Sequence, residues 1–294
     1  MSRPQWAPTV VVDEAQARAL IGRAFPELSD CTLTFVGEGW DNTAWRANDT
    51  VFRFPRRGVA RALMQTETTV LPLIASRLPL PISTPTHIGE PTDDYPYPWA
   101  GYRWMPGDTG CRCEHINASA SARSLGRFLR ALHDLPTAAP GDDWRGNVRG
   151  QVRKLTRTLT DMPAGTLRDV DAIRTLASAL EYTPIHSGAD VLCHGDLYAR
   201  HVLFTNGTPS GVIDWGDVHR GDPATDIAVA VMLFEPNERE PFRAAYGDID
   251  RHTWQRARFR ALFSGVYQVH YASSVGDVAL KRAGRAAIRR ALIR

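Results

Sequence analysis

Lysine is almost missing from this 294-residue chain. Lys154 and Lys281 are its only two, and the other 33 of its 35 basic residues are arginine. Any cation needed in the first half must therefore be an arginine. Cysteine is scarce too. Cys31, Cys111, Cys113 and Cys193 follow no zinc-ligand spacing, and four thiols make no disulfide framework in a chain this long. No stretch approaches the roughly 18 consecutive apolar residues of a membrane-spanning helix, and residues 1–6 lack the pattern of a secretory signal. Internal repeats and low-complexity tracts are absent as well. The expectation is a cytoplasmic protein with no membrane partner. Six basic residues, Lys281, Arg282, Arg285, Arg289, Arg290 and Arg294, crowd the C-terminal end and read as a solvated helix face. No aromatic residue is interleaved with them, so they lack the footprint of nucleic-acid binding. No nucleic-acid partner is expected.

What remains is 43% hydrophobic, enough for one large core or two modest ones. The most informative stretch is residues 191–204. An apolar run leads into His194-Gly195-Asp196, and a second apolar run follows His201, five residues beyond the aspartate. The pattern predicts strand, loop, strand. Another short apolar run, residues 211–213, delivers Asp214 into Trp215-Gly216-Asp217. Phosphoryl transfer asks for such a set: one carboxylate to accept a hydroxyl proton, and ligands for magnesium on the nucleotide phosphates. Cys193 reads as a small apolar residue packed beside the loop.

Upstream, residues 12–24 show helical spacing with Asp13 as a cap. Residues 31–36, 43–47 and 51–54 read as strands, with hairpin chemistry at 48–50. Gly37 and Gly39 lie between the first two. Residues 61–76 follow as a helix with Leu63, Val70, Leu71 and Ile74 on one face and Glu67 near that stripe, and Pro72 is expected to end or kink it. Proline-rich chain then threads strands at 87–90 and 99–104, and Met105-Pro106-Gly107 marks a change of composition. Helices are predicted at 118–135, 148–161, 167–180, 224–234, 239–246, 253–272 and 278–294. His133, beside an apolar stripe, reads as a packed core residue.

At His194-Gly195-Asp196, Ile213-Asp214-Trp215-Gly216-Asp217 and the segment 221–228, the chain resembles the aminoglycoside phosphotransferase-like family of small-molecule kinases, which includes macrolide phosphotransferases. The resemblance implies an α+β, two-lobed, protein-kinase-like fold. Residues 1–105 would form a small, mainly β nucleotide-binding lobe, and residues 106–294 a larger, mainly helical lobe with the catalytic loop and acceptor site. It implies transfer of the γ-phosphate of ATP or GTP to a hydroxyl of a small molecule, an antibiotic such as an aminoglycoside or macrolide, with Mg2+ as cofactor. A metabolite kinase and a nucleotide-binding pseudokinase are the alternatives. Asp196 would be the catalytic base, and His201 and Asp214 the metal ligands. Asparagine is usual at the position of His201 and offers a harder donor than imidazole. Asp217 would be an auxiliary acid. Gly37 and Gly39 would admit the phosphates, and Tyr102, Trp104 and Met105 would lie at the base-binding hinge. Kinases generally use a lysine on the third strand, held by a helix glutamate. With no lysine available, Arg53 takes that place, backed by Arg56 and Arg57, and Glu67 is its expected partner. Residues 224–294 carry seven acidic against twelve basic residues, which favours a largely apolar acceptor over a polycation. Trp215, Trp254, Phe259, Phe263, Tyr267 and Tyr271 are candidate linings for it.

Overall fold

The computed structural model describes residues 8–141, 144, 145 and 147–293. The stretch 1–6, read above for a signal, and Arg294 of the final basic face lie outside the described residues. The chain divides into two compact units. One comprises Met1–Ser76, Ile82–Met105 and Trp215–Asp217, the other Arg77–Pro81, Pro106–Asp214 and Val218–Arg294.

The first unit opens with helix α1 (Glu14–Ala24), whose first turn is capped as expected: the Gln16 amide donates to the Asp13 carboxylate at 2.8 Å. Five antiparallel strands follow: β1 (Leu33–Glu38), β2 (Asn42–Ala47), β3 (Thr50–Pro55), β4 (Pro85–Gly89) and β5 (Trp99–Arg103), in the order β1-β2-β3-β5-β4. Strand β1 begins two residues later than its alternation suggests, and a register shift between Phe35 and Gly37 re-aims its end. Phe52, Phe54, Tyr95 and Trp99 pack into a fully buried aromatic core. Helix α2 (Val59–Ile74) contains Pro72 in its last turn and stops two residues beyond it. Its buried face is Met64, Glu67, Leu71 and Ile74 at helical spacing, with Leu63 only half-buried, so the glutamate lies on the packed stripe itself.

The second unit is mainly helical: α3 (Ala118–His133), α4 (Val148–Asp161), α5 (Val170–Leu180), α6 (Ala224–Leu233), α7 (Glu240–Tyr246), α8 (Arg251–Val275) and α9 (Val278–Leu292). Two small antiparallel sheets carry the polar loops. One pairs β7 (Val191–Cys193) with β10 (His219–Gly221), and the other is ordered β6 (Asp108–Thr109), β8 (Val202–Thr205), β9 (Thr208–Val212). Helix α6 is buried on all sides, with only its C-terminal Leu233 partly exposed, in keeping with a sequence that is apolar all round. Leu155, Ile173, Ala228, Phe259, Leu262 and Ile288 join α4, α5, α6, α8 and α9 in one core. Helices α8 and α9 meet where Gly265 and Gly284 face each other; a side chain on Gly284 would come within 2.9 Å of the Gly265 carbonyl.

The basic face expected on α9 is exposed at Arg282, Arg285 and Arg289, and it also makes ties to neighbouring elements. Arg282 donates to the Cys111 carbonyl at 3.1 Å, Arg285 to the Thr166 carbonyl at 3.1 Å, and Arg289 and Arg290 both bond Glu235. Long guanidinium forks reach carbonyls at loop and helix ends that a shorter side chain would miss. No helix among the described residues is long and apolar enough to cross a membrane.

Candidate active site

The catalytic-type loop is built from the second unit. Strand β7 ends at Cys193, which is fully buried, and its thiol lies 3.6 Å from the Asp222 carbonyl. The chain then turns through Gly195 at φ +90°, a conformation that favours glycine. Asp226, in the first turn of α6, grips this turn from below. Its two carboxylate oxygens accept the His194 amide at 2.7 Å and the Gly195 amide at 2.9 Å. His133 adds a third bond at 3.3 Å. A carboxylate only accepts, so the His133 Nε2–H donates, and Nδ1 takes the Tyr246 hydroxyl proton at 2.8 Å. His133 is therefore a polar link in a buried chain, from Tyr246 through Asp226 to the loop. Burial raises the Asp226 carboxyl pKa, but the hydrogen bonds from His133 and the Gly195 amide outweigh it, and the net shift is downward.

His194 is fully buried and keeps its loop in shape. Its Nε2–H donates to the Ile213 carbonyl at 3.0 Å, and Nδ1 accepts the Asp196 amide at 3.2 Å. Burial lowers its pKa, which fits the neutral form that this bonding needs. The Asp196 side chain is 37% exposed, and the Arg260 guanidinium lies 3.9 Å from its Oδ1 while donating to the Gly195 carbonyl at 3.3 Å.

The other two expected groups stand beside it. His201 Nδ1–H donates to the Asp196 carbonyl at 2.8 Å, which aims Nε2 at Asp214 Oδ2, 3.2 Å away. Asp214 sits at φ +63°, a left-handed conformation unusual outside glycine, and its side chain is 45% exposed. Burial lowers the His201 pKa, but the Asp214 charge and hydrogen bond and the Asp196 charge and carbonyl outweigh it, so the net shift is upward. The spacing of Nε2 and Oδ2 also fits a shared divalent cation, since neighbouring ligands at ~2.1 Å in an octahedron stand about 3 Å apart. Asp214 offers a hard carboxylate oxygen, and neutral His201 offers Nε2. Magnesium bound there would neutralise charge on nucleotide phosphates. Arg200, next to His201, pairs with Asp277, which also caps α9 through the Leu280 amide at 2.9 Å.

In the first unit, Arg53 Nη1 donates to Glu67 Oε1 at 2.7 Å, the partnership expected from the sequence. Glu67 is 1% exposed, and the Arg53 guanidinium lies 5.4 Å from the centre of the Tyr102 ring. A buried ion pair of this kind holds direction at the cost of desolvation. Arg56 and Arg57, placed behind Arg53 in the sequence, serve the glycine loop instead. Arg56 donates to the Gly39 carbonyl at 2.9 Å and pairs with Glu38, and Arg57 pairs with Asp41. A side chain on Gly37 would meet nothing within 4 Å, and one on Gly39 would meet only the Asn42 carbonyl, at 3.9 Å. Packing within the chain thus leaves room for a ligand over both. Gly37 also has φ +156°. Tyr102 is buried in β5, its hydroxyl turned to Met64 at 3.2 Å. The Trp104 amide donates to the Asp49 carbonyl at 2.6 Å, and Met105 follows the end of the sheet. Asp217 and Trp215 belong to this unit, and the Trp215 side chain is fully buried, as is Phe259 in the other unit, so neither lines an open surface.

Sequence reasoning passed over Arg260 and reduced His133 to core packing. Arg256 and Arg260 lie four apart on α8 and both are buried, which the arginine-rich run 256–260 does not announce. Arg256 bonds Asp222 at 2.5 Å, and Asp222 in turn caps α6 through the Ala224 amide at 3.0 Å.

These features, a gripped H-G-D loop, a paired Asp214 and an arginine–glutamate pair on a five-stranded sheet, define a kinase-like phosphotransferase class. The sequence model of the phosphotransferase enzyme family matches residues 32–261, and the chain belongs to that family. An aminoglycoside 3'-phosphotransferase from Streptomyces fradiae is 32% identical over 136 residues, 44% of this chain and 50% of the relative. A viomycin phosphotransferase from Streptomyces vinaceus is 34% identical over 144 residues, 47% of each. The chain thus spans about half the length of the curated relatives it matches. Among solved structures, the GDP complex of aminoglycoside 2'-phosphotransferase-IIIa superposes with a TM-score of 0.71 at 22% identity, covering 95% of this chain and 98% of that one. A macrolide 2'-phosphotransferase from Brachybacterium faecium gives 0.62 at 24% identity, covering 92% and 97%. The fold is that of these kinase-like enzymes.

Proposed function

We propose that this protein transfers the γ-phosphate of ATP or GTP to a hydroxyl of a small molecule, an antibiotic. Aminoglycosides and macrolides are the first classes to test. One observation carries the reading: Asp196, His201 and Asp214 are held together in one loop system whose backbone is fixed by Asp226. Asp196 accepts the hydroxyl proton, or orients the hydroxyl, with the Arg260 guanidinium 3.9 Å from its Oδ1. Asp214 and His201 hold Mg2+. Gly37, Gly39, Arg53, Glu67, Tyr102, Trp104 and Met105 serve the nucleotide, with Arg53 on its phosphates in the place of the usual lysine. Residues 1–105 act as the nucleotide-binding part and residues 106–294 as the catalytic and acceptor part. The protein works in the cytoplasm without a nucleic-acid or membrane partner. Relatives named for aminoglycoside and viomycin phosphotransfer support the antibiotic acceptor.

Coupled nucleotide turnover with ATP and GTP, against aminoglycosides, macrolides and simple alcohols, tests the proposal. Acceptor-dependent turnover that disappears in Asp196→Ala is expected. Nucleotide binding with no turnover on any acceptor would overturn it.

A further inference from the structure

His201 sits at the end of a short turn that is clamped from two sides. Residues 198–201 close on themselves where the His201 amide donates to the Tyr198 carbonyl at 2.9 Å. The Tyr198 ring backs the His201 imidazole, with centroids 4.3 Å apart. One turn thus supplies both a ligand proposed for magnesium and the ring behind it, so whatever fixes the turn fixes the direction of Nε2. On one side it rests on the segment after β6. The Gly110 amide donates to the Val202 carbonyl at 2.9 Å, and a side chain on Gly110 would come within 2.8 Å of the Ala199 carbonyl. On the other side Arg200 reaches 77 positions along the chain to pair with Asp277.

The corner that presents Asp277 is itself held. Helix α8 ends at Gly276, at φ +74°, a left-handed conformation that glycine adopts without strain. The Gly276 and Asp277 amides both donate to the Ala272 carbonyl, the latter at 2.9 Å. Asp277 Oδ1 accepts the Leu280 amide at 2.9 Å, which starts α9, and Oδ2 receives the Arg200 guanidinium. A loose surface ion pair contributes little, because ordering two side chains offsets the attraction. Here the carboxylate is already ordered by its cap, and the two side chains are 28% and 24% exposed. Further along α9, Arg282 bonds the Cys111 carbonyl at 3.1 Å, so the same helix also holds the segment on the turn's other side.

Magnesium tolerates little error in its ligands, since it demands near-ideal octahedral geometry at ~2.0–2.1 Å. A drift of the turn by more than ~0.2 Å would already spoil a ligand distance. Resting on the phosphotransfer reading above, we propose that Asp277 is a positioning residue for the metal site. Through Arg200 it fixes the turn of His201, and so sets where Nε2 meets the cation shared with Asp214, whose Oδ2 lies 3.2 Å from it. Asp277 itself takes no part in the chemistry.

Asparagine separates the two duties of Asp277: it caps a helix as well as aspartate does, but forms no ion pair with a guanidinium. Asp277→Asn should therefore melt close to the native protein. Its affinity for Mn2+, a paramagnetic stand-in for Mg2+ titrated by electron paramagnetic resonance with saturating ADP or GDP, should fall about threefold to tenfold. That is less than the ~10–100-fold of a residue bonded directly to a metal ligand. Hydrogen exchange at the His201 amide should be faster than in the native chain, with neither metal nor nucleotide present. The double variant Arg200→Gln, Asp277→Asn should bind Mn2+ no more weakly than Arg200→Gln alone, because both changes cut one path. Arg285→Gln, which loses the tie from α9 to the Thr166 carbonyl, is the control for general loosening and should leave both readouts native. Native Mn2+ affinity in Asp277→Asn, losses that multiply in the double variant, or an equal loss in Arg285→Gln would overturn the proposal. Failure of the phosphotransfer reading looks different: the variants would rank as stated, yet no acceptor would stimulate nucleotide turnover by the native protein.

Discussion

Replacing Asp226 by asparagine should dismantle the loop that carries Asp196 without altering any residue proposed to touch substrate. In the native protein the carboxylate accepts two amides, at 2.7 and 2.9 Å, and the His133 N–H at 3.3 Å. An asparagine side chain keeps one acceptor oxygen and turns an NH2 group toward donors. Roughly two charge-assisted bonds are lost at ~1.5–3 kcal/mol each, so the variant should be about 3–6 kcal/mol less stable. Because the loop shifts relative to its partners, turnover should fall about a hundredfold. The loss should also depend on pH. The Asp226 pKa is lower in the folded protein than in the unfolded chain. Its stabilisation is therefore complete above the unfolded value of about 3.9 and disappears as pH falls through the lower folded value. Urea unfolding of both proteins should give a large difference at neutral pH that narrows on acidification. A difference below about 1 kcal/mol at neutral pH, with normal turnover, would refute the reasoning.

Arg53→Ala should raise the nucleotide KM about tenfold to a hundredfold, the size of a charge-assisted phosphate contact, while Arg53→Lys should recover part of it. An unchanged KM and turnover in Arg53→Ala would remove Arg53 from the nucleotide site. The same alanine variant strands Glu67, which is 1% exposed, and should also lose stability in a melting experiment. Gly284→Val should destabilise by ~1–3 kcal/mol, because a side chain there meets the Gly265 carbonyl at 2.9 Å. Gly58→Ala, where nothing lies within 4 Å, should be close to neutral and serves as the control.

Much of this architecture could be read before any coordinates. Apolar patterning located each described α-helix to within a few residues, because most bury one stripe, α6 is apolar all round, and several carry a cap such as Asp13, Asn117 or Asp250. The strands β6 and β10 escaped notice. They are two and three residues long and exist only because Asp108 pairs with Phe204 and His219 with Cys193, pairings that leave no local pattern. Strand β1 was misplaced because its bulge breaks the alternation. At the site, carboxylates and glycines announced themselves through motif spacing. His133 and Arg260 did not, since their roles depend on which helices pack together. The arginines of α9 face water as expected, but the carbonyls and the carboxylate they also reach come from distant segments and leave no local pattern.

Incubation of the full chain with γ-radiolabelled ATP or GTP, magnesium and a hydroxyl acceptor tests the central claim most directly. Label should move to the acceptor with the native protein and not with Asp196→Ala or Asp214→Ala. Label transferred equally well by the Asp196→Ala variant, or released only as inorganic phosphate whatever acceptor is offered, would contradict the account.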